Sequence, residues 1–200
     1  MRVLRNKRRA GFTLIEALIA LALMAIVVVK VTMVLNSASE ANTKGSAAMA
    51  LEDQARRVLD QIAYAVMSAD RDALFPDPES PQYTNEVTYQ VSLGVDENGN
   101  VVWSDPESIG LDVNGTKVLW RENPGDPDER KVAWCNTVRD FLQGEILNGV
   151  DDNGNGLSDE QGLTFTLFRD ACTIRLSLER PSEDGNHYTE TVETVVTIRN

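Results

Sequence analysis

The chain has 200 residues, of which 42% are hydrophobic, so it has room for one membrane helix and one modest globular domain. Its formal net charge is -12. This balance argues against binding of nucleic acid through the phosphates, because such binding needs clustered Lys and Arg. An acidic surface suits bound cations, partners with basic patches, or simple solubility.

The first eleven residues form a basic leader ahead of a long apolar segment. They hold five of the 19 Lys and Arg and none of the 31 Asp and Glu, so the chain without them carries 14 - 31 = -17. From Phe12 to Val29 every residue is apolar except Thr13 and Glu16. This is close to the roughly 20 residues that a helix needs to cross a ~30 Å hydrocarbon core. The basic flank predicts a single-pass inner-membrane protein with a cytoplasmic N-terminus and a periplasmic or extracellular C-terminal part.

Two residues distinguish this segment from a secretory signal. A secretory signal has its small-residue cleavage site after the apolar core, whereas Gly11 lies before it. Glu16 places a carboxylate about one turn into the apolar segment, where a charge is costly and needs a partner. If the chain is cut after Gly11, the new Phe12 amine of this or a neighbouring chain is the natural partner. The alternative is a plain signal anchor in which these residues have no role.

The stretch Arg-Arg-Ala-Gly-Phe-Thr-Leu-Ile-Glu-Ala-Leu-Ile-Ala-Leu resembles the type IV prepilin family, which comprises the pilins and the pseudopilins of type II secretion. The resemblance covers about residues 8–36. It implies that a membrane prepilin peptidase cuts after Gly11 and methylates the new N-terminal Phe12. It also implies that Glu16 sets the register of subunits in a helical filament, with other pilins or pseudopilins as partners.

After the leader (1–11), the chain to about residue 72 is predicted to be one helix, because no proline interrupts it. We expect residues 12–35 to span the membrane and residues 36–74 to form the periplasmic half. An apolar stripe at helical spacing in the second half predicts packing on a folded domain; it consists of Leu51, Ala55, Val58, Leu59, Ile62 and Val66. About sixty helical residues span roughly 90 Å, which implies a stalk.

Residues 75–200 are predicted to form a β-rich globular domain. Three prolines between Phe75 and Pro81 end the helix, and apolar residues then alternate with polar ones. Asn98-Gly99 and Asn114-Gly115 lie between such runs and predict hairpins. The fold class is therefore α+β: a long N-terminal transmembrane and stalk helix packed on a mostly antiparallel sheet, as in pilins. The long helix with a bulky β-domain looks like the J-type minor pseudopilins.

The two cysteines are Cys135 and Cys172, and the anchor places both outside the cytoplasm, where disulfides persist. A bond between them would stabilise the domain by roughly 3–4 kcal/mol in the chain-entropy model. The alternative is two buried thiols, since sequence spacing does not show that they meet.

The segment 148–162 contains a calcium-like loop. Counted from Asp151, oxygen-bearing side chains fall at positions 1, 3, 5 and 9, with glycine at position 6. The predicted ligands are Asp151, Asn153, Asn155, the Leu157 carbonyl and Asp159, with Glu160 or Asp152 completing the shell. Gly162 stands where an EF-hand has its bidentate glutamate, and the loop looks more like those of extracellular calcium repeats. The alternative is a metal-free turn, which is also the prediction for Asp96–Asn100.

The sequence offers no catalytic set and no evident small-molecule substrate, so we predict that the chain is not an enzyme. The only histidine, His187, lies in a polar stretch where we expect a solvated turn. Two functions remain. The first is a minor structural subunit of a type II secretion pseudopilus or a type IV pilus. The second is a membrane-tethered, calcium-dependent binding module that uses a prepilin-type anchor outside any filament.

Overall fold

One helix dominates the N-terminal part of the chain. The computed structural model describes residues 13–182 and 185–198. Helix α1 runs from Leu14 to Ser68, and no proline interrupts it. Behind it, the Asp70 carboxylate accepts a hydrogen bond from the Asp72 N–H at 3.0 Å and caps a short 3-10 helix, Arg71–Ala73. The predicted long helix is confirmed, and its α-helical part ends at Ser68.

The chain divides into two compact units, Met1–Ser46 and Ala47–Asn200. In the first unit every described side chain from Thr13 to Thr43 is exposed, although most of those up to Leu35 are apolar. Among the described residues α1 alone is long and apolar enough to cross a membrane, and none of its most apolar 18-residue stretch is buried. This exposed apolar segment fits a single-pass membrane anchor.

The second unit contains ten strands within the part of the chain that the structure describes. They are β1 (Gln82–Thr84), β2 (Glu86–Tyr89), β3 (Ser92–Val95), β4 (Val101–Trp103), β5 (Glu107–Leu111), β6 (Val118–Glu122), β7 (Arg130–Cys135), β8 (Leu163–Phe168), β9 (Ala171–Pro181) and β10 (His187–Thr197).

These strands form two four-stranded sheets and a separate hairpin. The sheet orders are β1-β8-β9-β10 and β2-β5-β6-β7, and β3 pairs with β4. All neighbouring strands are antiparallel. The predicted hairpins at Asn98-Gly99 and Asn114-Gly115 are confirmed as the β3–β4 and β5–β6 connections. The sequence did not indicate β1, and it did not show that the strands divide between two sheets.

The apolar stripe of α1 is buried as predicted. Its buried residues are Leu51, Ala55, Val58, Leu59, Ile62 and Val66. They share one core with side chains from both sheets, such as Val87 and Ile109 on one side and Phe165 and Ile174 on the other. The predicted α+β fold, with a helix packed on antiparallel sheets, is confirmed.

A short segment connects the two sheets and fixes the base of the calcium-like loop. β8 pairs with β9 only as far as Leu176. Beyond that point residues 137–139 take the place of β8 beside β9: the Arg139 N–H donates to the Ser177 carbonyl at 3.0 Å, and the Glu179 N–H donates to the Thr137 carbonyl at 2.8 Å. The chain between Arg139 and β8 therefore leaves and rejoins the same edge of β9.

Candidate functional site

Glu16 is held at the start of α1 by Thr13. Its Oε2 accepts hydrogen bonds from the Thr13 N–H and the Thr13 hydroxyl, both at 2.9 Å, and its own N–H donates to the Thr13 hydroxyl at 3.3 Å. This reciprocal pattern is a capping box, which satisfies N–H groups that have no partner inside the helix. The carboxylate therefore has a local partner within a single chain.

The capping contact of Thr13 was not predicted from the sequence. The signal was available, because a Thr followed three residues later by Glu ahead of an apolar run is the capping-box signature. Gly11 and Phe12, the predicted cleavage pair, lie outside the described residues. The predicted pairing of Glu16 with a Phe12 amine therefore stays a prediction.

The base of the calcium-like loop is closed by backbone contacts. The Leu142 N–H donates to the Glu160 carbonyl at 2.9 Å, and Phe141 forms an isolated bridge with Gln161. Gly162 follows, and a Cβ there would lie 1.9 Å from the Arg139 carbonyl oxygen. A glutamate at this position, as in an EF-hand, has no room, which explains the departure from that pattern.

Asp151 organises the turn inside this loop. Its Oδ1 accepts the N–H groups of Gly154 at 2.6 Å and Asn155 at 3.1 Å, and its Oδ2 accepts that of Gly156 at 2.7 Å. The Gly156 N–H contributes most to lowering the pKa of Asp151, and Gly154 and Asn155 add to it against the opposing effect of desolvation. The carboxylate is therefore ionised at neutral pH.

The other predicted ligands lie on the same loop and hold it by side chain to backbone contacts. The Oδ1 of Asn153 accepts the Asn155 N–H at 3.0 Å, and the Oδ1 of Asn155 accepts the Leu157 N–H at 2.9 Å. Asp159 reaches back across the loop, where its carboxylate accepts the N–H groups of Asn148 at 2.8 Å and Gly149 at 2.9 Å. The structure thus brings the predicted residues into one hydrogen-bonded turn.

Two buried carboxylates support this turn. Glu160, which the sequence placed in the site, is fully buried, and its Oε2 accepts the side-chain amides of Asn153 at 3.1 Å and Asn155 at 2.7 Å. Glu145 is 1% exposed and accepts the N–H groups of Asn153 at 2.9 Å and Asp159 at 3.1 Å. The sequence reasoning missed Glu145, because it precedes the loop and matches no position of the calcium spacing.

The turn of the hairpin at Asp96 has fewer side-chain contacts than the Asp151 loop. The Asp96 Oδ1 accepts the N–H groups of Asn98 and Asn100, both at 2.8 Å, and all of these residues are exposed. No buried carboxylate stands behind this turn among its described contacts. No group of three or more His, Cys, Asp or Glu side chains suited to a metal ion occurs among the described residues. The predicted ligands of the Asp151 loop include amide and carbonyl oxygens, which such a group does not count.

The two cysteines are buried free thiols on different sheets. Cys135 ends β7, where Gln54 of α1 donates to its Sγ at 3.5 Å. Cys172 lies on β9, and burial raises the pKa of its thiol to about 12. The structure therefore has two buried thiols, which was the alternative, and no disulfide between them. The disulfide stays a prediction.

His187 is the first residue of β10 rather than part of a turn. Its Nδ1 lies 2.5 Å from Glu179 Oε1, and its side chain is more than half exposed. The expected position in a turn was therefore wrong, whereas the side chain is exposed to solvent as expected. The sequence could not show that β10 begins five residues before its apolar part.

The N-terminal segment matches the model of the prokaryotic N-terminal methylation motif over residues 6–29. This match contains Gly11, Phe12 and Glu16. No curated protein and no solved structure matches the chain. The motif implies processing by a prepilin peptidase and assembly with other pilins. The match and the exposed apolar half of α1 together show that this chain carries a prepilin-type N-terminal segment.

Proposed function

We propose that this protein is a minor subunit of a type II secretion pseudopilus or a type IV pilus. It is inserted into the inner membrane as a prepilin, cleaved after Gly11, methylated on Phe12 and assembled through α1. The match to the methylation motif over residues 6–29 carries this proposal. The β-domain behind a long helix favours the J-type minor pseudopilins among these classes. Its role is structural rather than enzymatic, with the second unit outside the cytoplasm.

The first half of α1 supports assembly through a helix. Its large apolar side chains are exposed, for example Leu18 and Ile19, and each such side chain gains about 1.5–3 kcal/mol on leaving water. Lipid tails satisfy this surface before assembly, and neighbouring helices replace them in a filament. An apolar helix suits both lipid and a filament of helices. Lipid has already removed its surface from water, so association with other helices depends on close packing of the side chains.

Glu16 places a charged carboxylate at one point of this largely apolar helix surface. Thr13 donates two hydrogen bonds to its carboxylate but does not neutralise its charge, and no basic residue occurs in the chain between Phe12 and Val29. A charge among apolar helices needs a counter-charge. The methylated amine of Phe12 on a neighbouring subunit supplies one in the proposed filament.

The processing step is tested with Gly11→Val. The added side chain is expected to block cleavage, so that intact-mass analysis of the membrane-extracted variant finds the chain still beginning at Met1. The wild type should begin at Phe12 and carry one methyl group. Gly45→Val is the matched control, because it makes the same change at a glycine of α1 with open space around it. A wild-type chain that keeps Met1 in cells with active peptidase rejects the proposal.

The role of Glu16 is tested with three variants that separate its charge from its capping contact. Glu16→Gln keeps an oxygen for Thr13 and removes the charge, Glu16→Val removes both, and Thr13→Val removes only the hydroxyl. If the charge sets register, both Glu16 variants lose co-purification with partner pilins and Thr13→Val retains it. Membrane insertion should stay intact in all three. If Glu16→Val and Thr13→Val lose co-purification equally while Glu16→Gln retains it, Glu16 acts through its capping contact instead.

The second candidate function, a tethered calcium-dependent binding module, is favoured by the carboxylate-rich loop at Asp151. It predicts that the protein does not co-purify with other pilins in any calcium condition. Adjacent genes for a secretion ATPase and pseudopilins would favour the filament subunit, and their absence would favour the binding module.

A further inference from the structure

The loop from Glu145 to Glu160 has a large local excess of negative charge. It contains five carboxylates, Glu145, Asp151, Asp152, Asp159 and Glu160, and no Lys or Arg. Two of them, Glu145 and Glu160, are buried. The cation beside Glu160 is Arg175, whose Nη1 lies 3.7 Å from Glu160 Oε1 and whose Nε already donates to Glu193 at 2.6 Å. Buried carboxylates are normally paired or bound to a metal ion.

One oxygen of Glu160 has no hydrogen-bond partner. Glu160 is fully buried, and its Oε1 accepts no hydrogen bond among the described residues, since 3.7 Å to Arg175 is too long for one. The same carboxylate reaches into the turn, because its Oε2 contacts the amides of Asn153 and Asn155. Such an orphaned buried oxygen is uncommon and calls for a ligand.

The oxygens of the turn keep acceptor capacity after their internal hydrogen bonds are counted. A carboxylate accepts about four hydrogen bonds and an amide oxygen about two. Asp151 accepts three, which leaves one site on Oδ2. Asp159 accepts from two backbone N–H groups, those of Asn148 and Gly149, and the Gly149 N–H is shared between its two oxygens. Asn153 and Asn155 each accept one. The turn can therefore stay formed while each of these side chains offers one further lone pair.

We propose that this loop binds one calcium ion through Asp151, Asn153, Asn155, the Leu157 carbonyl, Asp159 and the buried carboxylate of Glu160. Glu145 is a positioning residue, because it holds the backbone of Asn153 and Asp159 and contacts no proposed ligand oxygen. An all-oxygen set from a flexible loop suits calcium better than magnesium, which demands octahedral geometry and releases water reluctantly. Without a bidentate terminal glutamate, the dissociation constant should be about 10⁻⁴–10⁻³ M.

The ion has a structural consequence at the edge of β9. The loop connects residues 137–139, which pair with β9, to β8, which pairs with β9 directly beyond them. Both ends of the loop are pinned at Leu142 and Glu160. Calcium binding there should order this connection and so stabilise the second unit. The inference does not rest on the proposed filament role, since either function could use the loop.

The test is calcium titration of the full-length protein in detergent after removal of metals with a chelator, followed by calorimetry and thermal unfolding. Calcium is expected to release or absorb heat with a single-site isotherm and to raise the unfolding midpoint, and magnesium at the same concentration should do so much less. Glu160→Gln should weaken calcium binding by about tenfold or more, as loss of a supporting carboxylate does at other metal sites.

Two further variants complete the design. Asp152→Asn is the matched control, because it removes the same charge from the same loop at an exposed residue that the proposed ligand set leaves out and that accepts a hydrogen bond from Asn148; it should bind calcium within about threefold of wild type. Asp151→Asn should lose binding even if Glu160→Gln fails to fold. No heat and no midpoint shift up to 10 mM calcium (about ten times the weakest expected dissociation constant) overturns the proposal, as does equal weakening by Asp152→Asn and Asp151→Asn.

Discussion

The two halves of α1 differ sharply in burial, although they belong to one uninterrupted helix. From Leu14 to Leu35 every side chain is apolar except those of Glu16, Lys30 and Thr32, and none is buried. From Leu51 to Val66 the apolar residues lie on one stripe, which is buried in the core of the second unit. Charged residues such as Glu52 and Arg56 occupy the remaining face of that half.

This contrast shows that the pattern of apolar residues, rather than their number, decides which surroundings a helix requires. A helix that is apolar all round needs apolar surroundings on every side, which a domain of this size cannot supply. A helix with one stripe needs a single sheet surface. The first half therefore depends on lipid or other subunits, and the second half depends on the β-domain of its own chain.

Ile62→Ala tests the buried half and should have the largest effect on stability. Ile62 is 0% exposed, and truncation of such a core side chain costs about 2–5 kcal/mol. Leu21→Ala, at a residue that is 65% exposed, is the matched truncation in the other half and should change the free energy of unfolding by less than about 0.5 kcal/mol. Denaturant unfolding of the full chain in detergent measures both. Similar losses in the two variants would remove the distinction between the halves.

The thiols report whether the core beneath the second half of α1 is closed. Both cysteines are buried and free, and Cys135 contacts Gln54 of the helix. A thiol reagent at pH 8 should label neither in the native protein and both after denaturation without reductant. Ile62→Ala should speed labelling of Cys135, because the helix then separates from β7 more often. Failure to label either cysteine after denaturation would instead support the predicted disulfide.

The pH dependence of stability tests whether the Cys172 thiol is buried. Burial raises the pKa of this thiol to about 12 in the folded protein, above the roughly 8.5 of an exposed cysteine. A raised pKa contributes stability that is fully present below pH ~8.5 and is lost as the pH rises toward the folded value. The unfolding midpoint of wild type should therefore fall more steeply between pH 8.5 and 10.5 than that of Cys172→Ala. Parallel profiles would show that the thiol is not buried.

The exposed face of the second half should matter least. Arg56 donates to Glu52 at 2.8 Å, one turn earlier on the surface of the helix. Exposed pairs at this spacing contribute little to stability, and salt screens them. Arg56→Ala should therefore lower the free energy of unfolding far less than Ile62→Ala, and the difference from wild type should shrink in 1 M salt. A loss as large as that of Ile62→Ala would mean that this face packs on something as well.

The sequence by itself determined the features that depend on local pattern. The apolar run, the helical stripe from Leu51 to Val66 and the Asn-Gly turns each express a period or a residue preference within a few positions. The resemblance at Gly11, Phe12 and Glu16 is equally local, and the matching motif covers the same short segment. Such features are readable because their physical cause lies between neighbouring residues.

Only the tertiary structure decided the features that join distant residues. Residues 137–139 replace β8 beside β9, Gly162 lies against the Arg139 carbonyl, and Glu145 and Glu160 become buried behind one turn. Cys135 and Cys172 lie on separate sheets, although each alone is an ordinary buried strand residue. The pairing of strands and the burial of a carboxylate depend on which segments meet in space, and that choice is made by the packing of the whole core rather than by any local run of residues.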